Sequence, residues 1–357
     1  MVKQERSWLS GLLGELAVPL AATILGLLVG TIFNLAAGKD PVVAYGAYAK
    51  AVAGQPRMIG ETLVEAIPLI FTGLAIALAF RTGLFNIGVE GQYLVAQVAA
   101  AWAAYALPLP GWLHPAVAML VGMVAAALWA TIPGLLKAYR GVHEVINTIM
   151  MNWIGLFLVQ WLVAGPLRAP GGTGAATRPV LPTAALAQGL IAGSRLHAGL
   201  WIGLAAAFAV WFFLWKTPAG YEIRSVGLSP GAAEYAGINV AKNIVLAMAL
   251  SGALAGLAGA VQTLALNGKV YQPSGLPGYG FDGIAVALVG KNHPVGVVFA
   301  ALLFGALARG GPMMQAVAGV PKAVIFIVQG TVILFVAAEG LWRFLRTRRA
   351  KAEVKAA

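Results

Sequence analysis

Apolar residues fill long blocks of this chain, and charged residues collect at the block ends. Segment 16–37 carries no charge, and segment 198–215 is apolar throughout apart from its tryptophan N–H groups. A helix rising about 1.5 Å per residue needs roughly 20 such residues to cross a hydrocarbon core about 30 Å thick. Backbone in lipid must satisfy its own hydrogen bonds, so blocks of this length predict helices. The blocks fall at 16–37, 59–80, 89–107, 115–136, 144–165, 198–215, 240–264, 281–290, 294–308 and 320–342. The eighth and ninth are shorter than a full crossing. They predict broken or re-entrant helices, which a bilayer tolerates only where protein or a wet cavity surrounds them. The expected fold class is an all-α polytopic membrane protein of about ten transmembrane helices.

Composition agrees. Of 357 residues, 60% are hydrophobic and 10% charged, against about a quarter charged in a soluble domain. Too few charges are present to cover a water-facing globule of this size. The absence of cysteine excludes disulfides, thiolate nucleophiles and cysteine-based metal sites. The net charge of +12 would suggest nucleic acid in a soluble protein. Here it sits at span ends and reports topology instead, so no nucleic-acid partner is expected. The first block is too long for a signal-peptide core and is expected to be the first span.

Orientation follows from the basic residues. The tail 343–357 holds Arg343, Arg346, Arg348, Arg349, Lys351 and Lys355 against Glu353, which puts it in the cytoplasm. An even number of spans then puts the N-terminal segment 1–15, with Lys3 and Arg6, in the cytoplasm too. Lys137, Arg140 and the loop 216–239 fall on the same side, and the Gly/Pro/Ala-rich loop 166–197 falls outside. Lys39, Lys50 and Arg57 would also lie outside, against the trend.

Within the membrane domain 16–342, residues 59–165 and 240–342 read as two copies of one unit. His114-Pro115 and His293-Pro294 each open a small-residue-rich helix. Gly141-Val142-His143-Glu144-Val145-Ile146 is echoed by Gly319-Val320-Pro321-Lys322-Ala323-Val324-Ile325, and 83–88 more loosely by 280–284. Five spans separate the copies, so they would lie in opposite orientations. Inverted repeats with interrupted helices are a transporter pattern, because two halves can rock about a site between them.

Three groups of residues carry candidate chemistry. In 80–92, Arg81, Asn86, Glu90 and Gln92 stand among glycines between two apolar blocks. This is either a broken-helix element lining a translocation path or an ordinary turn at the water boundary. Next, Ser229-Pro230-Gly231-Ala232-Ala233-Glu234-Tyr235-Ala236-Gly237 predicts a short capped helix, with Ser229 as N-cap, Pro230 in the first turn and Gly237 at C′. So short a helix needs a surface to dock on, either a partner subunit or the lipid. The third group, Asn147, Asn152, Trp153, Gln160 and Gln262, lies inside spans, where amides commonly join helix to helix. Gly26 and Gly30, Gly199 and Gly203, and Gly252 and Gly256 have the small-xxx-small spacing of close helix packing. No nucleotide-binding, zinc-protease or nucleophile-elbow motif is present, and no enzymatic activity is expected.

With these residues in view, the chain resembles the membrane-spanning permease of bacterial ABC importers, in the branch that handles nucleosides and simple sugars. The likeness runs from about Gly60 to Gly340. It is carried by Gly83-Leu84-Phe85-Asn86-Ile87-Gly88-Val89-Glu90-Gly91-Gln92, by 220–237, and by Phe281-Asp282-Gly283-Ile284-Ala285-Val286-Ala287-Leu288-Val289-Gly290. The long loop 166–197 makes it look like the larger of two paired nucleoside permeases. The resemblance implies that 216–239 supplies the coupling element that meets the ATPase, through Arg224, Ala232, Ala233, Glu234 and Gly237. It also implies a cytoplasmic ABC ATPase that holds ATP and Mg, an external substrate-binding lipoprotein, and a second permease subunit, expected as a heterodimer with a homodimer as the alternative. Location in the bacterial cytoplasmic membrane follows, with no cofactor on this chain. Phe85, Asn86, Glu90, Gln92, Asn152, Trp153 and Asp282 are the expected path residues, since a neutral solute with a flat base calls for aromatic and amide groups. The rival class is an ion-coupled secondary transporter of a small polar solute, for which Glu90 and Asp282 would supply ion ligands.

Overall fold

The computed structural model describes residues 8–171 and 174–337. The basic tail 343–357, the last residues of the tenth expected span, and Lys3 and Arg6 lie outside the described residues. Every extended element among them is helical: α1 (Trp8–Ala36), α2 (Pro41–Ala53), α3 (Pro56–Arg81), α4 (Val89–Ala106), α5 (His114–Arg140), α6 (Glu144–Ala164), α7 (Gly199–Lys216), α8 (Pro218–Leu228), α9 (Pro230–Tyr235), α10 (Val240–Gln262), α11 (Tyr279–Val289), α12 (Pro294–Ala318) and α13 (Lys322–Ala337). A π-helical turn, Thr263–Asn267, extends α10. Six helices, α3, α5, α6, α7, α10 with its extension, and α12, are long and apolar enough to cross a membrane.

The chain forms two compact units. Among the described residues, one comprises 53–306 and the other 8–52 with 307–337. In the larger unit, α10 packs in opposite direction along α5. Gly252 meets Ala130 and the Ala126 carbonyl, Gly256 meets Ala126 and the Gly122 carbonyl, and Gly134 meets Met248. A Cβ on Gly256 would stand 2.8 Å from the Gly122 oxygen, closer than side chains come. Lipid tails are as apolar as leucine, so helix association in a bilayer depends on such close backbone approach. Gly252 and Gly256, spaced for this in the sequence, are used for it. In the smaller unit Gly26 and Gly30 on α1 play the same part against Val328 and Val332 of α13.

One expected span changes length. Segment 294–308 was expected to be short, but α12 runs 25 residues to Ala318. The Gly310-Gly311-Pro312 run, just past the expected end, lies inside the helix. Gly310 makes room for the Tyr48 ring and Gly311 for Ile325, and a proline within an apolar helix is tolerated where neighbours re-satisfy the backbone. The eighth expected span remains short: α11 has 11 residues, about 16 Å of helix.

The repeated landmarks fall unequally. His114-Pro115 opens α5 and Pro294 opens α12; 141–143 joins α5 to α6, and 319–321 joins α12 to α13. The looser pair does not correspond, since 83–88 is a loop and 280–284 lies within α11.

Candidate translocation site and coupling element

Two helices of the larger unit start in its interior. α11 begins with Tyr279 in electrostatic reach of Glu65 on α3. It then runs parallel to α3, with Gly283 against Thr72 and Gly73 against Val286. It ends where the Arg81 Nε donates to the Asn292 carbonyl at 2.9 Å. It therefore covers only the second half of α3. α4 starts at the same level and heads the other way, past Gly259 beside Tyr93 to Ala103 beside His114. The two N-termini meet at Glu90 in the first turn of α4, whose Oε1 accepts from the Gly280 N–H at 2.9 Å and the Phe281 N–H at 3.3 Å. A helix leaves its first N–H groups unpaired and carries a partial positive charge there, so a carboxylate is stabilised at this end. Glu90 is fully buried, and its Oε2 has no hydrogen-bond partner.

The loop 82–88 brings α4 to this depth. α3 closes in a Schellman turn: Gly83, at φ +75°, donates to the Phe80 carbonyl and Leu84 donates to that of Ala79. The chain then folds back inward on a buried amide network. The Asn86 side-chain nitrogen donates to Gln92 Oε1 at 3.1 Å and Ser251 Oγ at 2.9 Å, and its oxygen accepts from Gln92 Nε2 and the Gly88 N–H. The Ser251 hydroxyl donates in turn to the Ala75 carbonyl at 2.7 Å. From α6, Asn152 clamps Gly91 and Ile87, and the Thr148 hydroxyl accepts from the Ile87 N–H. Asn86, Gln92 and Asn152 are thus brought together with Glu90, with their polar atoms engaged inside the chain. Phe85 is half-buried and stacks on Phe80 at 5.0 Å. Trp153 stands apart, on the exposed face of α6 beside Phe157.

Asp282 lies at the same level and is exposed, with Phe281 beside it 44% exposed. A polar stripe leads from there to the end of the bundle that carries loop 166–198. It comprises Asp282, Tyr279, Glu65, Glu61 and Arg195. The Tyr279 phenol is in electrostatic reach of Asp282, Glu65 and Arg195, and Arg195 in reach of Glu65. Glu61 accepts from the Arg195 N–H at 2.8 Å and from its guanidinium at 2.7 and 3.0 Å. Both guanidinium donors converge on Oε2, with the backbone N–H on Oε1, and this charge-assisted pairing holds the Arg195 guanidinium above the ordinary arginine range. Glu61, Glu65, Tyr279, Phe281 and Arg195 were missed as site residues in the sequence. The i, i+4 spacing of Glu61 and Glu65 inside an apolar block is the signal that marks them.

The opposite end carries α8 and α9. Ser229 Oγ accepts from the Ala232 N–H, Pro230 opens α9, and Gly237 sits at φ +81°. Ile238 donates to the Ala233 carbonyl and Gly237 to that of Glu234, a complete Schellman cap. Ala233 is buried, whereas Ala232, Glu234, Tyr235 and Gly237 are exposed. Gly227 on α8 presses so close to the Arg81 carbonyl that no Cβ fits between them. Arg224 lies over the Trp215 ring at 5.8 Å, with Arg81 over the same ring at 5.2 Å and the His293 ring 5.0 Å away. The segment 216–239 is thereby tied to the ends of α3 and α7 and to the turn after α11.

Residues 58–337 match the family described as branched-chain amino acid transport system / permease component. The chain belongs to this family. The permease is 43% identical over 334 residues to the guanosine ABC transporter permease protein NupP of Bacillus subtilis, covering 93% of this chain and 96% of the relative. It is 38% identical to the nucleoside ABC transporter permease protein NupB of Lactococcus lactis, covering 90% and 91%. It is 35% identical to the glucose ABC transporter permease protein TsgB13 of Haloferax volcanii, covering 89% and 86%. No solved structure matches. The permease is a multi-pass membrane component of an ABC importer and not an enzyme. The ion-coupled alternative is set aside by this membership.

Proposed function

We propose that this permease carries nucleosides across the bacterial cytoplasmic membrane, driven by ATP hydrolysis on a cytoplasmic ABC ATPase. The nucleoside assignment rests on the 43% identity with a guanosine permease over 93% of the chain. The path assignment rests on Asp282, exposed at the start of a helix that begins halfway through the bundle. An aspartate facing lipid at that depth costs about 2.5–3.5 kcal/mol on insertion scales. A face bearing Asp282, Phe281, Tyr279 and Glu65 therefore fits a wet path completed by a second permease. Aromatic rings suit a base and carboxylates suit sugar hydroxyls. Asn86, Gln92 and Asn152 support this face from behind, and Phe85 lies on the same loop; Trp153 is better suited to contact with lipid or a partner.

In this reading the chain crosses the membrane about ten times as two inverted repeats, with α4 and α11 as their interrupted helices. The α8–α9 end faces the cytoplasm, in keeping with Arg81, Lys137, Arg140, Lys216, Arg224 and Lys242 gathered there, and both termini are cytoplasmic. Loop 166–198 faces outward, toward a binding lipoprotein. The second permease is a different subunit, since Bacillus subtilis has both NupP and NupQ as guanosine permeases, and this chain is 43% and 32% identical to them. The exposed side of α9 docks on the ATPase, which holds ATP and Mg.

The test is nucleoside uptake by the assembled importer. Parent complex is expected to accumulate labelled nucleoside only with ATP. Glu234→Arg with Gly237→Val is expected to abolish uptake while the permease still inserts in normal amount. Uptake indifferent to ATP, or to these substitutions, would remove the proposal.

A further inference from the structure

Glu90 is out of keeping with its surroundings. It is a fully buried carboxyl among apolar helices, with no basic residue against it; the ion pairs among the described residues join Lys137 to Glu144 and Arg195 to Glu61. What offsets its burial is geometry. It belongs to the first turn of α4, and its Oε1 holds two N–H groups at the start of α11. Both partial positive helix ends converge on one carboxylate, and no backbone bond joins the two helix starts. Around it the glycines allow no slack: a Cβ on Gly280 would stand 2.7 Å from the Glu90 N and 3.0 Å from its Cγ. α11 is thus seated against α4 by the Glu90 carboxylate, the one hydrogen-bonding side chain between the helix starts, and by Tyr93 packed on Tyr279 with ring centroids 5.5 Å apart, while its own exposed residues, Phe281 and Asp282, form the path face.

We propose that Glu90 is the positioning residue of the path: its carboxylate pins the start of α11 to the start of α4, and making and breaking this pin is the step by which the path face changes access during the ATP cycle. The free Oε2 is consistent with such a joint, since it leaves one acceptor to be taken up in the other state. The proposal rests on the path reading above, but not on which solute is carried.

The natural absence of cysteine makes the test direct. Phe281→Cys is introduced as the single thiol of this chain, and the complex with its ATPase and partner permease is placed in nanodiscs. Labelling of this chain by a water-soluble maleimide is followed without nucleotide and with ATP and vanadate. Labelling is expected to differ about tenfold between the two states, the factor that corresponds to 1.4 kcal/mol. Adding Glu90→Gln, which keeps the shape and removes the charge, is expected to bring the two rates together. In the chain without the added thiol, Glu90→Gln is expected to lower uptake about tenfold while ATP hydrolysis stays within about twofold. Glu90→Asp, which keeps the charge, is expected to restore state-dependent labelling. State-dependent labelling that persists in Glu90→Gln overturns the proposal. So does a complex that forms in low yield but labels like the parent, which would make Glu90 a packing residue alone. No solute enters the labelling assay, so its failure is distinct from failure of the nucleoside assignment.

Discussion

Asn152 on α6 holds Gly91 at the start of α4: its side-chain oxygen accepts from the Gly91 N–H at 2.8 Å. Its amide nitrogen donates to the Ile87 carbonyl at 2.9 Å. One amide thereby satisfies an unpaired donor of the helix start and an acceptor of the loop before it. Asn152→Ala would leave both buried, at about 1–3 kcal/mol each. Asn152→Asp keeps the acceptor but turns it on a carbonyl, so it is expected to be no better than alanine. The prediction is a lowered thermal midpoint in detergent for both variants, with uptake lost in proportion to folded protein. An unchanged midpoint in Asn152→Ala would mean that the clamp contributes nothing.

Glu61 and Arg195 join α3 to loop 166–198. The Glu61 side chain is 6% exposed and that of Arg195 57%, so solvent screens the pair from one side and the coupling is expected at about 1 kcal/mol rather than the several of an enclosed pair. Arg195→Ala should cost more than Glu61→Gln, because it takes both guanidinium donors and their charge away from a buried carboxylate and leaves it the backbone N–H of residue 195 on Oε1. Arg195→Lys keeps the charge but loses the two-pronged geometry, and should fall between parent and Arg195→Ala. A double-mutant cycle on thermal stability reads the coupling directly; additive effects would show that the two residues act independently.

Much of the bundle was legible in its apolar blocks, because lipid demands length and closed backbone hydrogen bonding. The helix starts show what pattern alone passes over. Asp40-Pro41, Thr217-Pro218 and Ser229-Pro230 are the same device, a side-chain cap followed by proline at the first helical position. In each the cap oxygen accepts from a backbone N–H, of Val42, Gly220 and Ala232 respectively. The Ser229 instance was readable beforehand, as was its Gly237 stop. The other two start α2 and α8, which have too little apolar length to register as spans. The candidate site was less legible for another reason. Asn86, Glu90 and Gln92 stand out as polar residues between spans, but the partners that define their roles, Ser251 and Gly280, are small residues more than 160 positions away. Nothing local marks a serine or a glycine as the other half of a contact.

His197 offers a pH dependence. The ring is buried at the end of loop 166–198, its Nδ1 accepts from the Gly199 N–H at 3.2 Å, and Nε2 has no hydrogen-bond partner. Burial pushes it down from 6.5 to about 4. The folded chain thus keeps His197 neutral where the unfolded chain takes up a proton. Stability from this group is intact above pH 6.5 and is lost as pH falls toward about 4. His197→Gln should flatten that acid limb of the thermal midpoint, even if it lowers the midpoint at neutral pH. An acid limb of unchanged steepness would assign the loss to other groups.

Asp282 separates a lipid-facing surface from a path-facing one. If its face of α11 met lipid, Asp282→Leu would remove a charge costing about 2.5–3.5 kcal/mol at mid-depth, and the variant would be more stable with uptake intact. If the face lines the path, the same substitution puts a branched apolar side chain where a solute with hydroxyl and N–H donors must pass. Uptake should then fall at least about tenfold, the equivalent of losing one charge-assisted hydrogen bond of about 1.5–3 kcal/mol. Asp282→Asn retains one acceptor and should lose less than Asp282→Leu. Stability rises with uptake unchanged under the first alternative and uptake falls under the second, so the two measurements on one variant decide between them.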